Sequence, residues 1–215
     1  MEILADPITV NSRKVLAGLL FVGADFSLNK VDYFAGEHKN PEFTAINPMQ
    51  AVPALRDGAL VLTESNAILQ YAAEKTGNTS VYPTDPAARA DVNRLLFWEA
   101  SAWFQSCYIH LVENCVKPVM GGAPDQAVLD GEAENFHKLA DILDARLSSN
   151  AWLCGDTPTI ADIAVAAPMH LHGIMKLPLE PHANLRRWMS QNVEQLPAWK
   201  GTHVNEDFTS NFTGS

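Results

Sequence analysis

A change of hydrophobic period about a third of the way along the chain limits the folds available to it. Before residue 79, apolar residues alternate with polar ones in short runs, and these runs are interleaved with segments of helical spacing. After residue 86, every periodic segment has the helical spacing. This order predicts an α/β unit followed along the chain by an all-α unit.

The first third predicts the order β-α-β, an irregular segment, and then β-β-α. Asp57-Gly58 lies between the last two strands and is a strong hairpin signal. Gly77 follows the second helix as a stop. The predicted strands are residues 2–5, 26–31, 54–56 and 60–62, and the predicted helices are residues 11–22 and 64–75. We therefore expect a small domain with a mixed sheet over residues 1–78.

The remainder predicts helices separated by breakers. Residues 79–86 are polar and contain proline, which is typical of a linker. We expect an all-helical domain over residues 87–200 and a polar, frayed tail over residues 201–215. Its predicted helices are residues 87–115, 126–147, 159–173 and 183–191.

Composition excludes several function classes. The 25 acidic and 15 basic residues give a formal charge of -10, which argues against nucleic-acid binding because phosphates require a basic face. No apolar run approaches about 18 residues, so no membrane partner is expected. The three cysteines form no C-x-x-C motif, and the N-terminus has no basic signal region. We expect a cytoplasmic protein without a redox dithiol.

Val52-Pro53, immediately before a predicted strand, allows two interpretations. A proline cannot donate to a β-ladder, so a cis peptide bond could turn the chain tightly into an edge strand. The backbone groups of Val52 would then be free to pair with an extended ligand. The alternative is an ordinary trans bond at the start of a strand, which is the commoner form.

Two polar segments precede helices and also allow two interpretations. Thr63-Glu64-Ser65 could cap a helix, or its helix N-terminus and hydroxyl could bind a carboxylate while Glu64 binds an ammonium. Such a pair of charges describes an α-amino acid. Thr9 and Asn11 could likewise cap the first helix, or they could donate to a ligand thiol and lower its pKa from about 8.5.

These segments together resemble the soluble glutathione transferases, over residues 1–200. A capping box at Thr159-Ile160-Ala161-Asp162 is also similar to the second domain of that family and has a structural role only. The resemblance implies a thioredoxin-like domain followed by a helical domain. The residues that carry it are Glu37-His38-Lys39, Pro41-Glu42-Phe43, Asn47-Pro48, Val52-Pro53-Ala54-Leu55, Asp57-Gly58, Leu62-Thr63-Glu64-Ser65, Ala67-Ile68-Leu69 and Tyr71.

The resemblance also implies a glutathione site. Glutathione would be a co-substrate, with no other cofactor and no metal. Glu64 and Ser65 would bind the γ-glutamyl group, and Val52, before a cis Pro53, would pair with the cysteinyl group. The glycyl carboxylate would meet His38 and Lys39. The other expected partners are a small hydrophobic electrophile and a second copy of the chain, because the family forms homodimers.

The group that contacts sulfur varies within the family. No tyrosine precedes Tyr33 and no cysteine lies on the first loop, so the tyrosine and cysteine types do not fit. Thr9 takes the serine position, four residues before Arg13. The run is similar to nu-class and fungal nitrogen-regulator-like members, and to theta-like bacterial ones. We expect Thr9 and Asn11 to be catalytic, although Ser12 remains an alternative because Asn11-Ser12 resembles a pair in bacterial β-etherases.

The helical domain is expected to supply the electrophile pocket from its long first helix. The candidates are Trp103, Phe104 and Tyr108, with Trp98, Met169, His170 and His172 as further neighbours of the cleft. Because His170 and His172 are two residues apart, they face different sides of a helix, and no metal site is expected.

The sequence thus predicts a glutathione transferase that activates the glutathione thiolate for attack on an electrophile or a disulfide. Two alternatives remain. One is a binding protein of the same fold without catalytic activity, since a fold does not guarantee activity. The other is a glutathione-dependent β-etherase or dehalogenase, which differs in its substrate.

Overall fold

The computed structural model describes residues 1–202, and the predicted tail from residue 203 onward lies outside this range. The strands are β1 Glu2–Ala5, β2 Ser27–Lys30, β3 Ala54–Asp57 and β4 Leu60–Leu62. The helices are α1 Val10–Val22, α2 Pro41–Thr44, α3 Ser65–Thr76, α4 Pro86–Trp98, α5 Phe104–Leu111, α6 Lys117–Val119, α7 Gln126–Leu147, α8 Ile160–Ala166, α9 Ala183–Arg187 and α10 Pro197–Lys200. Three π-helical turns, Glu99–Trp103, Val112–Val116 and Trp188–Asn192, and three 3₁₀ turns, Glu37–Lys39, Ala167–Met169 and Val193–Gln195, connect or extend them.

The four strands form one mixed sheet in the order β2-β1-β3-β4. β1 pairs in parallel with β2 and antiparallel with β3, which pairs antiparallel with β4 through the predicted hairpin. Side chains of β1 alternate between two cores: Ile3 and Ala5 join the main cluster, while Leu4 packs on the other face with Phe43 of α2. The sheet is therefore covered on both faces.

Helix α1 lies at the centre of the molecule. It packs against α3 of the α/β unit and against α8 and α10 of the helical unit. A Cβ atom on Gly18 would lie 2.0 Å from Cδ2 of Leu69, so glycine permits the close approach of α1 and α3. Because one buried apolar cluster continues through both units, the start of α1 is held firmly where the units meet.

The predicted α/β unit followed by an all-helical unit is confirmed, and three helices differ in detail. The helix predicted over residues 183–191 is α-helical to Arg187 and continues as a π-helical turn to Asn192. The helix predicted over residues 87–115 is a helical run interrupted by two π-helical turns. The helix predicted over residues 159–173 is shorter, because Pro168 has no amide hydrogen to continue the α-helical ladder and a 3₁₀ turn replaces it.

The segment predicted as a linker is packed against the helical unit. Val81 and Tyr82 are buried, and the Val81 carbonyl accepts a hydrogen bond from the Ile160 amide at 3.0 Å. Thr159 and Asp162 form the predicted capping box at the start of α8. Within residues 1–202, no helix combines the length and apolar character needed to cross a lipid bilayer.

Candidate active site

Two adjoining cavities lie between the α/β unit and the helical unit, and Asn11 and Phe104 line both of them. The first, here the apolar cavity, measures about 340 Å³ and is lined by Ile8, Thr9, Val10, Asn11, Tyr33, Phe34, Gln50, Ala51, Val52, Phe104, Tyr108, Leu111, Val116, His170 and Leu171. The second, here the polar cavity, measures about 370 Å³ and is lined by Asn11, Lys14, Glu64, Ser65, Asn66, Ala67, Gln70, Leu96, Phe97, Glu99, Ala100 and Phe104.

The Thr9 hydroxyl lies at the N-terminus of α1 without capping it. Its Oγ1 atom is 2.7 Å from Oγ of Ser12 and 3.1 Å from the Asp6 carbonyl oxygen. Since Ser12 is completely buried, its hydroxyl reaches Thr9 but not the cavity. No side chain at Thr9 therefore caps the first-turn amides of α1. The positive end of the helix dipole lies uncapped beside Thr9 and Asn11.

Asp6 organises the loop that precedes α1. Its buried carboxylate accepts hydrogen bonds from the amides of Ile8, at 3.2 Å, and Tyr33, at 2.9 Å. These two bonds join the loop before α1 to the segment that follows β2. Thr9 and Tyr33 consequently line the apolar cavity from two segments that Asp6 holds together.

Glu64 has a backbone conformation that is rare for a residue with a side chain. Its φ is 65° and its ψ is 112°, and it immediately precedes α3. Residues held in such conformations concentrate at functional sites, where the surrounding structure compensates for the strain. The turn places the exposed Glu64 beside Ser65, the first residue of α3, in the polar cavity.

A buried ion pair that the sequence analysis missed lies behind the polar cavity. Lys14 and Glu99 are joined by Nζ–Oε2 and Nζ–Oε1 distances of 2.8 and 2.9 Å. Burial lowers the pKa of Lys14, while the Glu99 carboxylate raises it, and Glu64 raises it less strongly. No sequence motif indicates this pair, because its members are separated by 85 residues.

Aromatic side chains form one wall of the apolar cavity. The rings of Phe104 and Tyr108 stack with centroids 5.4 Å apart, and Tyr33 stacks on His38 with centroids 4.3 Å apart. Burial raises the pKa of Tyr108, and Tyr33 contributes in the same direction. This wall is suited to a flat, apolar ligand.

The prediction of Trp103 as a lining residue of the electrophile pocket is wrong. Its side chain is completely buried, its indole nitrogen donates to the Val165 carbonyl at 3.0 Å, and its ring packs against Phe136. Trp98 packs against the same core, and Met169 is completely buried. These residues stabilise the helical unit.

The remaining predicted glutathione-binding residues have different positions. The Val52–Pro53 peptide bond is cis, and Val52 lines the apolar cavity while Pro53 is buried beside it. His38 is buried under Tyr33, and its Nδ1 atom has no hydrogen-bond partner within residues 1–202. Lys39 is exposed, and neither His38 nor Lys39 lines either cavity.

A third cavity, of about 570 Å³, is lined by His170, His172, Glu194 and residues of α10. Thr9, Asn11 and Ser65 are all absent from its wall, and His172 lines this cavity but neither the polar nor the apolar one. Glu194 accepts a hydrogen bond from His172 at 3.0 Å. Across residues 1–202, no group of three His, Cys, Asp or Glu side chains is arranged to hold a metal ion.

Both units match families of glutathione-dependent proteins. The glutathione S-transferase N-terminal domain matches residues 3–74, and the C-terminal domain matches residues 96–197. Glutathione S-transferase 3 of Zea mays is 37% identical over 161 residues, covering 73% of this chain and 71% of the relative. Probable glutathione S-transferase GSTF2 of Oryza sativa subsp. japonica is 31% identical over 186 residues, covering 86% and 84%. The chain belongs to the glutathione S-transferase family.

Solved structures of this family share the fold. Glutathione transferase F7 of Populus trichocarpa superimposes with a TM-score of 0.85 at 30% identity, over 94% of this chain and 96% of its own. Maize glutathione S-transferase I, in complex with an atrazine glutathione conjugate, gives 0.84 at 26% identity, over 97% of both chains. These comparisons confirm the thioredoxin-like and helical domains, and they give no support to a nu-class or theta-like placement.

Proposed function

We propose that the chain catalyses attack of the glutathione thiolate on an electrophile bound in the apolar cavity. The observation that carries this proposal is the position of Asn11, which lines both cavities beside Thr9. A ligand with its amino-acid group in the polar cavity would bring its thiol to the junction, next to Thr9 and Asn11. The electrophile would approach from the apolar cavity.

The thiolate is stabilised by donors at the start of α1. Without ligand, the Thr9 hydroxyl donates to the Asp6 carbonyl and to Oγ of the buried Ser12. On binding, it rotates to donate to the sulfur. Asn11 contributes its side-chain amide, and the helix dipole adds a favourable potential. Together these groups lower the pKa of the bound thiol and increase the thiolate fraction near neutral pH.

The rest of glutathione follows the surface of the α/β unit. Ser65 and the amides at the start of α3 bind the γ-glutamyl carboxylate, and Glu64 binds its ammonium. The backbone of Val52, before Pro53, pairs with the cysteinyl group. The glycyl carboxylate lies toward His38 and Lys39, and Lys39 supplies positive charge in a chain of net charge -10.

In the reaction the sulfur forms a bond to an electrophilic carbon, and the leaving group departs with the bonding electron pair. Phe104 and Tyr108 exclude water and orient a flat substrate, so the contribution of the protein is positioning and thiolate stabilisation. Attack on a disulfide sulfur or an aryl-ether carbon would use the same thiolate. A binding protein without turnover is the competing interpretation.

Calorimetric titration with reduced glutathione, combined with thiolate absorbance of the same samples, tests the proposal. We expect binding with a thiolate signal near pH 7, and about a 100-fold loss of turnover in Thr9→Val, since one donor to the reacting atom is lost. Thr9→Ser should retain most of the activity, and Thr76→Val, at an exposed site on α3, should retain all of it. Binding without a thiolate, or turnover unaffected by Thr9→Val, would contradict the assigned roles.

We also propose that the active form is a homodimer. Phe97 is 70% exposed and forms part of the wall of the polar cavity, where a partner subunit would cover it. Val61, on the edge strand β4, is 46% exposed. Light scattering should give a dimer mass for the native chain and a monomer mass for Phe97→Glu. A monomeric native chain would contradict the proposal.

A further inference from the structure

The ion pair between Lys14 and Glu99 connects the two units at the polar cavity. Lys14 lies on α1, and Glu99 begins the π-helical turn after α4. Their side chains are 2% and 0% exposed. Removing two charges from water is costly unless further hydrogen bonds satisfy their remaining donors and acceptors.

The further bonds of Lys14 reach the residues that begin α3. Its ammonium donates to Oγ of Ser65 at 3.2 Å and to Oδ1 of Asn66 at 3.3 Å. Asn66 in turn donates to Oε2 of Glu99 at 2.9 Å and to the Leu96 carbonyl at 2.8 Å. The ion pair is therefore built into the wall of the polar cavity.

This network also determines which way Asn11 points. Because Ser65 Oγ accepts from Lys14, its own hydrogen is directed to Oδ1 of Asn11, 3.3 Å away. The carbonyl end of the Asn11 side chain is thus occupied and its NH₂ group is left to donate. Within the described part of the chain, that NH₂ group has no hydrogen-bond partner.

We infer that Lys14 and Glu99 are positioning residues that hold the Ser65 hydroxyl and the Asn11 amide in the orientation that binds glutathione. This inference rests on the proposed function. Neither residue needs to touch the reacting atoms. The anion that fixes the lysine belongs to the helical unit, so the glutathione site of the α/β unit depends on a residue outside it.

A role in stability alone is the competing explanation, and a double substitution separates the two. Lys14→Met combined with Glu99→Leu replaces a buried pair by apolar side chains of similar size, which generally preserves or improves stability. Urea unfolding should therefore give a stability close to that of the native chain. Calorimetry should nevertheless show about a tenfold weaker affinity for reduced glutathione, since the donor to Ser65 is lost.

A double-mutant cycle tests whether Lys14 acts through Ser65. It does not depend on the folding of the variant that combines Lys14→Met with Glu99→Leu. Lys14→Gln keeps a neutral donor toward Glu99, and urea unfolding checks that this variant is folded before its affinity is measured. It should weaken glutathione binding about tenfold in the native background but less than twofold in a Ser65→Ala background, because the shared interaction is already absent.

The matched control is Lys117→Met, which removes an ion pair with the buried Glu113, and neither of these two residues lines the polar or the apolar cavity. Its glutathione affinity should equal that of the native chain. Native affinity in the folded double variant, or equal losses in the two backgrounds of the cycle, would overturn the inference while leaving the proposed function intact. A native chain that does not bind glutathione would overturn both.

Discussion

The polar and apolar cavities are neighbours of similar size, but their walls are built differently. The polar wall is a connected set of hydrogen bonds in which Lys14, Ser65 and Asn11 each restrict the next. The apolar wall depends on ring contacts such as that between Phe104 and Tyr108. Hydrogen-bonded charges tolerate little displacement, whereas apolar surfaces adapt to different shapes.

This difference indicates a division between a fixed ligand and a variable one. A site that binds the same co-substrate in every turnover benefits from polar groups that are held before binding. A site for varied electrophiles benefits from apolar surface that discriminates weakly, since one methylene group changes binding by only about 1–3 kcal/mol. Apart from Thr9, whose hydroxyl donates to the reacting sulfur in the proposed function, substitutions in the polar wall should therefore have larger effects than substitutions in the apolar wall.

Among the other residues of the two walls, the largest effect is expected from Ser65→Ala. It removes the hydroxyl that links Lys14 to Asn11 and that would bind the γ-glutamyl carboxylate. The KM for glutathione should rise about 10- to 100-fold, consistent with the loss of a hydrogen bond to a charged group. Steady-state kinetics with varied glutathione measures this change. Ser101→Ala, at an exposed site, is the control, and equal KM values for the two variants would break the comparison.

An intermediate effect is expected from Phe104→Ala, because this ring borders both cavities. The KM for the electrophile should rise about tenfold through lost apolar contact and lost stacking on Tyr108. The KM for glutathione should rise only a few-fold. Kinetics with each substrate varied in turn separates the two values. A larger effect on glutathione than on the electrophile would mean that Phe104 belongs to the polar site.

A small effect is expected from Tyr108→Phe. The stacking ring remains, and only the hydroxyl of this 37% exposed residue is removed. Turnover should change less than about threefold for apolar electrophiles, while Tyr108→Ala should resemble Phe104→Ala. Parallel assays with a series of electrophiles of increasing size would sharpen the comparison. A loss of turnover for every electrophile in Tyr108→Phe would show that the hydroxyl takes part in the chemistry.

Lowering the pH is expected to have the smallest effect on ligand binding in the two cavities, because it acts on histidines elsewhere in the molecule. Burial lowers the pKa of His110 and of His182 below the ordinary value of 6.5, and the carboxylates of Glu132 and Asp141 only partly oppose this. The unfolded chain then binds more protons, so stability should fall as the pH drops from about 7 to 5.

Urea unfolding at several pH values measures this effect. In His182→Gln the stability should depend less on pH than in the native chain. The affinity for glutathione should be the same in His182→Gln as in the native chain at every pH in that range. Stability that is constant or that increases toward acid pH would contradict the assignment. A change in glutathione affinity in His182→Gln would connect the histidines to the cavities.

Periodicity predicted most of the fold because the local signals agree with the packing. Residues 2–5 form β1 as predicted, and Gly77 ends α3 with a φ of 67°. The predicted candidates Thr9, Asn11, Val52, Glu64 and Ser65 all border at least one of the two cavities. Their roles toward glutathione stay predictions until a ligand is measured.

The sequence could not reveal features that depend on distant residues. Lys14 looks like an ordinary helix lysine, and its partner Glu99 becomes apparent only when α1 and the π-helical turn are brought together. Spacing along the long helix does not say which aromatic side chains face the core, so it does not separate the buried Trp103 from Phe104 and Tyr108. Pro168 is visible in the sequence, and the helical spacing of the apolar residues continues past it although α8 ends at Ala166.

Because of the π-helical turn Glu99–Trp103, the number of residues between α4 and α5 matters as much for the cavity wall as the identity of those residues. Each residue of an α-helix rotates the chain by about 100°, so the extra residue in such a turn sets the phase of every side chain after it. Phe104 and Tyr108 border the cavity, and Trp103 points into the core, in that phase. Many single replacements along this helix can be absorbed locally, whereas one deletion within the turn would rotate the whole following face away from its ligand.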